Sequence, residues 1–208
     1  MDWTFGIITG GNQENNINII IDSIENQNIP NYEVILVGSC NIQRKNCRII
    51  DFDESIKPMW ITKKKNIITE ESKFENIVYL HDYIKFEPNW YNNFVNFGED
   101  WDVCMNPIKT IDNYRFRDWT LWGPAAVDYS DHSKTNQMYV SGSYFCAKKQ
   151  FMLKNKFDES LSWGEGEDVE WSLRIRDFWN YKCNEKSKVK LLKSKGDSHG
   201  FYNYILGE

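Results

Sequence analysis

Two neighbouring carboxylates, Glu167 and Asp168, follow a glycine-containing turn and stand directly before a helical run. Glycine lets a backbone come close to a ligand, the preceding Trp163 offers a flat apolar face, and a carboxylate can take the proton of an attacking hydroxyl. Acidic residues also favour the first turn of any helix, where they meet the positive end of the helix dipole. The segment alone therefore supports a catalytic and a structural interpretation about equally.

Three other polar segments each follow a short apolar run that is typical of a buried strand: Thr9-Gly10-Gly11, Gly38-Ser39 and His81-Asp82-Tyr83. The predicted elements are strands over 5–9, 32–37, 47–52 and 77–80, a helix over 17–26, a helix or irregular segment over 60–71, and a short helix after Trp90 through Phe97. Such alternation predicts βαβ units with a parallel sheet, in which ligands bind beyond the carboxyl ends of the strands. The three segments should therefore converge on one cleft, although glycine-rich turns after strands are common whatever the function.

Composition narrows the class of protein. The 208 residues fit one domain, and the hydrophobic fraction of 41% excludes a disordered chain. The formal charge of −5 argues against a nucleic-acid partner, which a basic surface would match. Five cysteines without a CxxC spacing favour a reducing compartment, and no apolar run approaches the length of a transmembrane segment. We therefore expect a soluble, cytoplasmic protein.

The stretch from Asp112 to Gln137 is rich in Asp, Arg, Trp and Gly and lacks periodicity. Its length is unusual for a structureless loop in a compact domain. It is either a binding loop that presents Trp119 and Trp122, or a surface insertion whose tryptophans cover the core. Strand character returns over 138–147, around Gly142.

The order of these features resembles that of the glycosyltransferase family 2-like enzymes of GT-A fold, from Phe5 to about Gly200. The most specific matching parts are Val78 to Asp82, Pro88-Asn89-Trp90 and Trp163 to Asp168. The resemblance implies an α/β fold: a Rossmann-like GT-A domain with a mixed, mostly parallel central sheet flanked by helices. One domain would span 1–208, with a nucleotide-binding half over about 1–100 and an acceptor-binding half over about 101–208.

For the first half, the resemblance implies a nucleotide-sugar donor, with a UDP-sugar favoured by what is common in the family. The implied donor-binding residues are Thr9, Gly10, Gly11, Gly38, Ser39, Asp51, Lys64, Lys65, Asn66, His81 and Asp82. Of the three consecutive lysines at 63–65, one is expected to act at the donor and the other two to be solvated.

His81-Asp82-Tyr83 occupies the position of the DxD motif, whose acidic side chains bridge a divalent metal to the donor diphosphate. The resemblance implies Mn²⁺ or Mg²⁺, which prefer hard oxygen ligands, with Asp82 and the late His199 as ligands. Tyr83 stands where related sequences carry an acid. Metal-independent catalysis is therefore also open.

For the second half, the resemblance implies an inverting transfer to a hydroxyl of a glycan or glycosylated acceptor. Asp168 is the implied base and Glu167 a contact to acceptor or donor sugar, with the reverse assignment open. The implied acceptor-side residues are Trp119, Trp122, Trp163, Gly164, Tyr139 and Ser143.

Two other hypotheses remain. A catalytically degenerate domain of the same fold, which binds a glycan or scaffolds a partner, is suggested by Tyr83. A sugar nucleotidyltransferase shares the α/β architecture, but it would normally carry a longer glycine-rich phosphate loop than the one after Thr9.

Overall fold

The computed structural model describes residues 1–123, 125–195 and 206. Its helices are α1 (Glu14–Glu25), α2 (Ile61–Glu71), α3 (Trp90–Phe97), α4 (Lys149–Lys154) and α5 (Glu167–Ile175), with a 3₁₀ turn over Thr135–Gln137. Its strands are β1 (Trp3–Ile8), β2 (Tyr32–Val37), β3 (Cys47–Ile50), β4 (Asn76–His81), β5 (Ile84–Phe86), β6 (Val103–Met105), β7 (Ile108–Lys109), β8 (Thr120–Leu121), β9 (Ala125–Ala126), β10 (Met138–Tyr139), β11 (Tyr144–Lys148), β12 (Tyr181–Cys183) and β13 (Val189–Leu191).

A seven-stranded sheet runs through the domain in the order β12-β6-β11-β4-β1-β2-β3. Four of its strand pairs are parallel, and β11 runs antiparallel to both of its neighbours. Two small sheets, β10-β8-β9 and β5-β13-β7, lie beside it. The mixed, mostly parallel sheet with flanking helices is the α/β architecture that the sequence predicts.

Strand β1 shows how the sheet is covered on both faces, because successive side chains of a strand point in opposite directions. Trp3 packs edge to face against Trp90 and Phe94 of α3, with ring centroids 4.9 Å away in both cases. On the other face, a Cβ added to Gly6 would lie 2.3 Å from Ile68 of α2. The small residue therefore allows α2 to pack closely on the sheet.

Most of the predicted elements are present, with shifted ends. The predicted strand over 138–147 is instead two strands, β10 and β11, separated by a turn in which the Tyr144 amide donates to Ser141 O at 3.1 Å. The stretch from Asp112 to Gln137 forms β8, β9 and the 3₁₀ turn rather than one irregular loop. Within the part of the chain that the structure describes, no helix is both long and apolar enough to cross a bilayer.

Candidate active site

The carboxyl ends of the central strands meet at one cleft, as the alternation of elements predicts. The Thr9 hydroxyl donates to Asp82 Oδ2 at 2.7 Å, and the Asp82 amide donates to Ile8 O at 3.1 Å, so the ends of β1 and β4 are fixed to each other. The Gly11 amide donates to Thr9 Oγ1 at 3.0 Å. A Cβ on Gly38 would lie 2.2 Å from Thr9 O, so this position has room only for glycine. The three polar segments that follow β1, β2 and β4 are therefore in contact with one another, as predicted.

Lys64 belongs to the cleft although it is 2% exposed. Its ammonium donates to Thr9 O at 2.7 Å and forms an ion pair with Glu54. The expectation that two of the three consecutive lysines are solvated is wrong, because Lys64 and Lys65 both point inward from α2.

Lys65 and Asn66 are directed away from the donor side of the cleft, which corrects their sequence-based assignment. Lys65 is fully buried, with its ammonium 3.8 Å from Glu167 Oε1 and 4.7 Å from the centroid of the Phe157 ring. The Asn66 amide donates to Phe157 O at 3.0 Å, so it fixes the segment after α4.

Ser39 and Asp51 bond to each other at 3.1 Å in an exposed position at the ends of β2 and β3.

The carboxylate pair lies at the start of α5, as predicted, and the turn after β10 holds it. Asp168 Oδ2 accepts from the Gly142 amide and Asp168 Oδ1 from the Val169 amide, both at 2.9 Å. A Cβ on Gly142 would meet Asp168 Oδ2 at 2.8 Å and Glu167 Oε1 at 3.0 Å. Gly142 therefore allows the backbone to lie directly against both carboxylates.

Glu167 and Lys65 form a buried pair of opposite charge beneath the cleft. Burial raises the pKa of Glu167, the Lys65 ammonium opposes this rise, and the Asp168 carboxylate adds to it. Burial lowers the pKa of Lys65, whereas Glu167 and Asp168 act in the opposite direction. No hydrogen-bond partner for Lys65 Nζ is found in the described part of the chain, so its attraction to Glu167 is mainly electrostatic.

Two adjoining cavities make up the cleft. A cavity of about 240 Å³, the donor-side cavity, is lined by residues that include Thr9, Gly10 and Asp82. A cavity of about 280 Å³, the carboxylate-side cavity, is lined by residues that include Glu167 and Asp168. Both are lined by His81, Tyr83, Trp163 and Lys195. A molecule could therefore extend from the strand ends to the carboxylate pair.

The predicted aromatic residues differ in their access to the cleft. Trp163 is 53% exposed at the junction of the two cavities, and Gly164 and Ser143 line the carboxylate-side cavity. Trp119 is fully buried against Tyr181 and His132, so it packs in the core and cannot stack on a sugar in this structure. Trp122 follows β8 and its ring centroid lies 6.3 Å from that of Tyr139 in β10, and both residues are outside the two cavities. The insertion interpretation holds for Trp119.

The described residues do not provide a complete set of ligands for a divalent metal. Asp82 is 8% exposed, and one of its oxygens already accepts from Thr9. Burial raises the pKa of Tyr83, and the charges of Asp82 and Glu167 raise it further, so the phenol stays neutral. Over residues 1–123, 125–195 and 206, no group of three or more His, Cys, Asp or Glu side chains is placed to hold a metal ion. The implied ligand His199 lies outside the described residues.

His81 lies next to Asp82 at the end of β4. Burial lowers its pKa well below the ordinary value, and the charges of Lys65, Lys195, Lys193 and Lys64 lower it further. Its Nε2 is buried, and no hydrogen-bond partner for it is found among the described residues. Four lysine ammonium groups therefore act on this end of the cleft.

Sequence reasoning missed four charged residues that line the cleft: Glu54, Arg117, Lys193 and Lys195. Arg117 has positive φ (38°), and its buried Nε finds no partner within the described residues. The lysines belong to a segment with five lysines between positions 186 and 195, a signal that the charge pattern could have supplied. Glu54 and Arg117 stand in irregular segments with no comparable pattern.

Comparison with known proteins gives the fold. No protein-family model and no curated protein sequence matches the chain. Residues 1–349 of S. aureus TarS, solved with UDP-GlcNAc, match with a TM-score of 0.67 and 14% identity, over 95% of this chain and 60% of the TarS chain. GalNAc-T7, solved with UDP, GalNAc and Mn²⁺, matches with a TM-score of 0.69 and 14% identity, over 92% of this chain and 43% of that one.

The chain thus spans less than two thirds of the length of either matching structure. At such low identity the likeness establishes the fold. The chain has the GT-A architecture of these structures, which confirms the fold that the sequence resemblance implies.

Proposed function

We propose that this chain is a glycosyltransferase that moves a sugar from a nucleotide-sugar donor, with a UDP-sugar favoured, to a hydroxyl of a glycan acceptor. The observation that carries the proposal is the pair of adjoining cavities. One contains the strand-end residues Thr9 and Asp82, the other contains Glu167 and Asp168, and Trp163 borders both. The nucleotide would occupy the first cavity and the acceptor the second, with the sugar between them. TarS and GalNAc-T7, which share the fold, were solved with UDP-GlcNAc and with UDP and GalNAc.

The proposed transfer inverts the configuration at the sugar C1. The acceptor oxygen attacks C1 from the face opposite the diphosphate, while Asp168 takes the acceptor proton. Each Asp168 oxygen accepts one backbone N–H bond, which fixes the carboxylate and leaves each oxygen capacity for a further bond. General-base assistance of this kind is typically worth about 10²–10⁴-fold in rate.

Glu167 is the more enclosed of the two carboxylates, at 5% exposure, and it is paired with Lys65. We assign it to a hydrogen bond with a sugar hydroxyl, for which a carboxylate is a strong acceptor. Trp163, which is half exposed, supplies an apolar face for the sugar ring. Trp122 and Tyr139 could contact only a part of the acceptor that extends beyond the cavity.

The test is a titration of UDP, UDP-sugars and other nucleotide-sugars by calorimetry, with Mn²⁺ and with a chelator, together with an assay of UDP release in the presence of candidate glycan acceptors. Mn²⁺ is included because Asp82 offers one hard oxygen ligand and GalNAc-T7 was solved with this ion. Donor binding with acceptor-dependent UDP release is expected. Absence of nucleotide binding under both conditions would exclude a glycosyltransferase.

Donor binding without turnover on any acceptor would favour the second candidate, a degenerate domain that binds a glycan or a partner. The neutral Tyr83 at the position of an expected acid is the observation that motivates this candidate.

Asp82→Ala is expected to weaken UDP binding by about tenfold, since it removes the acceptor of the Thr9 hydroxyl bond that fixes the ends of β1 and β4 at the donor-side cavity. Asp177→Ala, which removes an exposed carboxylate after α5, is the matched control. Equal UDP affinity in both variants would remove Asp82 from the donor site.

A further inference from the structure

Two lysines lie against the ring of Tyr83, which stands at the position where an acid is expected. The ammonium groups of Lys193 and Lys195 each lie 4.3 Å from the centroid of the Tyr83 ring. At this distance the negative face of an aromatic ring attracts a cation. Tyr83 is 4% exposed, so its ring is fixed by packing and holds both ammonium groups at a defined place.

Both ammonium groups belong to the cleft. Lys193 and Lys195 line the donor-side cavity together with Thr9 and Asp82. Lys195 also lines the carboxylate-side cavity, together with Glu167 and Asp168. Lys195 therefore stands at the junction, where the bond between the sugar and the diphosphate would lie in the proposed donor pose.

The charges in the donor-side cavity do not balance. Glu54 is already paired with Lys64, which leaves the Asp82 carboxylate opposite both Lys193 and Lys195. Within the described residues neither lysine has a carboxylate at ion-pair distance. Burial and the charge of Lys193 lower the pKa of Lys195, Asp82 opposes this, and Arg117 adds to the lowering. A bound anion would relieve this repulsion, so the cavity is suited to a group with more than one negative charge.

We propose that Lys193 and Lys195 bind the donor diphosphate and stabilise the UDP leaving group, in place of a divalent metal ion. This inference rests on the proposed sugar transfer. As the acceptor oxygen bonds to C1, the bond from C1 to the diphosphate oxygen breaks and its electron pair stays on that oxygen. Asp168 takes the acceptor proton, and the ammonium groups stabilise the negative charge that develops on UDP. A metal ion would supply the same stabilisation in an enzyme with a complete acidic motif.

The test measures UDP and uridine binding by calorimetry, with the metal removed by a chelator, in the wild type and in Lys193→Gln, Lys195→Gln and the double variant. We expect the wild type to bind UDP with the chelator within about threefold of its affinity with Mn²⁺. A charge-assisted bond to phosphate is lost in each single variant, so UDP affinity should fall about tenfold per lysine and about 100-fold in the double variant. Uridine affinity should stay within about twofold, because uridine carries no phosphate.

Lys186→Gln is the matched control, since it removes the same charge from the same segment but Lys186 lines only cavities away from this cleft. Its UDP affinity should equal that of the wild type. Salt supplies a second measurement: UDP binding should weaken with ionic strength in the wild type and much less in the double variant. Circular dichroism establishes that each variant is folded.

Failure of this inference is distinct from failure of the proposed function. If UDP binds only with Mn²⁺ and the lysine variants keep the wild-type affinity, a metal carries the diphosphate and the inference is wrong while the transferase proposal stands. If neither UDP nor any nucleotide-sugar binds the wild type, both are wrong. Chelator-resistant UDP binding that disappears in the double variant, with uridine affinity retained, supports the inference.

Discussion

Gly142→Ala is the substitution that tests the carboxylate site most directly. The new methyl carbon would lie 2.8 Å from Asp168 Oδ2 and 3.0 Å from Glu167 Oε1. Ordinary van der Waals contact begins near 3.4 Å. The Asp168 carboxyl therefore has to move by roughly half an ångström or more, which is about the tolerance of a functional site. The movement also strains the Gly142 N–H bond to Asp168.

The expected loss follows from this displacement. A misplacement of about 1 Å costs about 100-fold in rate, so we expect transfer to fall between about 10-fold and 100-fold, or about 1.4–2.7 kcal/mol of transition-state stabilisation. Overpacking costs about 1–3 kcal/mol of folding stability. UDP affinity should change by less than about twofold, because Gly142 lines the carboxylate-side cavity and not the donor-side cavity.

The assay is UDP release from the donor at saturating acceptor, with donor affinity measured in parallel and folding stability measured by urea. Gly98→Ala is the control, since Gly98 follows α3 with φ of +89° and has no atom within 4 Å of an added Cβ. It should lose about 1–3 kcal/mol of stability through backbone strain and keep full transfer. If folded Gly142→Ala transfers sugar within about twofold of the wild type, the carboxylate pair that contacts Gly142 is not the reacting centre.

Four further substitutions separate catalysis, charge and folding. Asp168→Asn should keep donor affinity and lower UDP release by about 10²–10⁴-fold. If Glu167→Gln lowers UDP release more than Asp168→Asn does, Glu167 is the base and Asp168 is the contact to the sugar. Lys65→Met removes the cation that opposes the burial-raised pKa of Glu167. That pKa should then rise, and the acid limb of the pH–rate profile should move to higher pH; an unmoved limb means that Lys65 does not act through Glu167. Arg115→Met leaves Asp118, which is fully buried and bonded to Arg115 at 2.5 Å, without its counter-charge. It should cost about 3–5 kcal/mol in urea unfolding, and a loss below about 1 kcal/mol would show that the pair is dispensable.

The sequence predicts the elements well where one physical signal dominates. The strand Tyr32–Val37 has the predicted bounds, and α1 begins three residues before the predicted position. The strand over 138–147 is wrong because apolar character alone does not reveal the turn around Gly142. In that turn Gly142 contacts the carboxylates, and such a contact between distant segments leaves no local pattern.

The residues of the candidate site also fall into those that the sequence predicts and those that it cannot predict. Strand-end residues such as Thr9 and Asp82 can be predicted because the topology of a parallel sheet brings strand ends together. The direction of a side chain on a helix depends on how the helix is rotated against the sheet, so Lys64 and Lys65 could not be assigned from their order alone. The role of Trp119 likewise could not be predicted, because its burial against Tyr181 depends on the fold.

The adjacent positions of Lys64 and Lys65 on α2 have a mechanical consequence. Lys64 bonds to the end of β1 in the donor-side cavity, and Lys65 faces Glu167. Neighbouring residues on one helix cannot move independently, and α2 is held on the sheet by the close contact at Gly6. A rigid-body displacement of α2 would therefore change the donor-side cavity and the surroundings of Glu167 together.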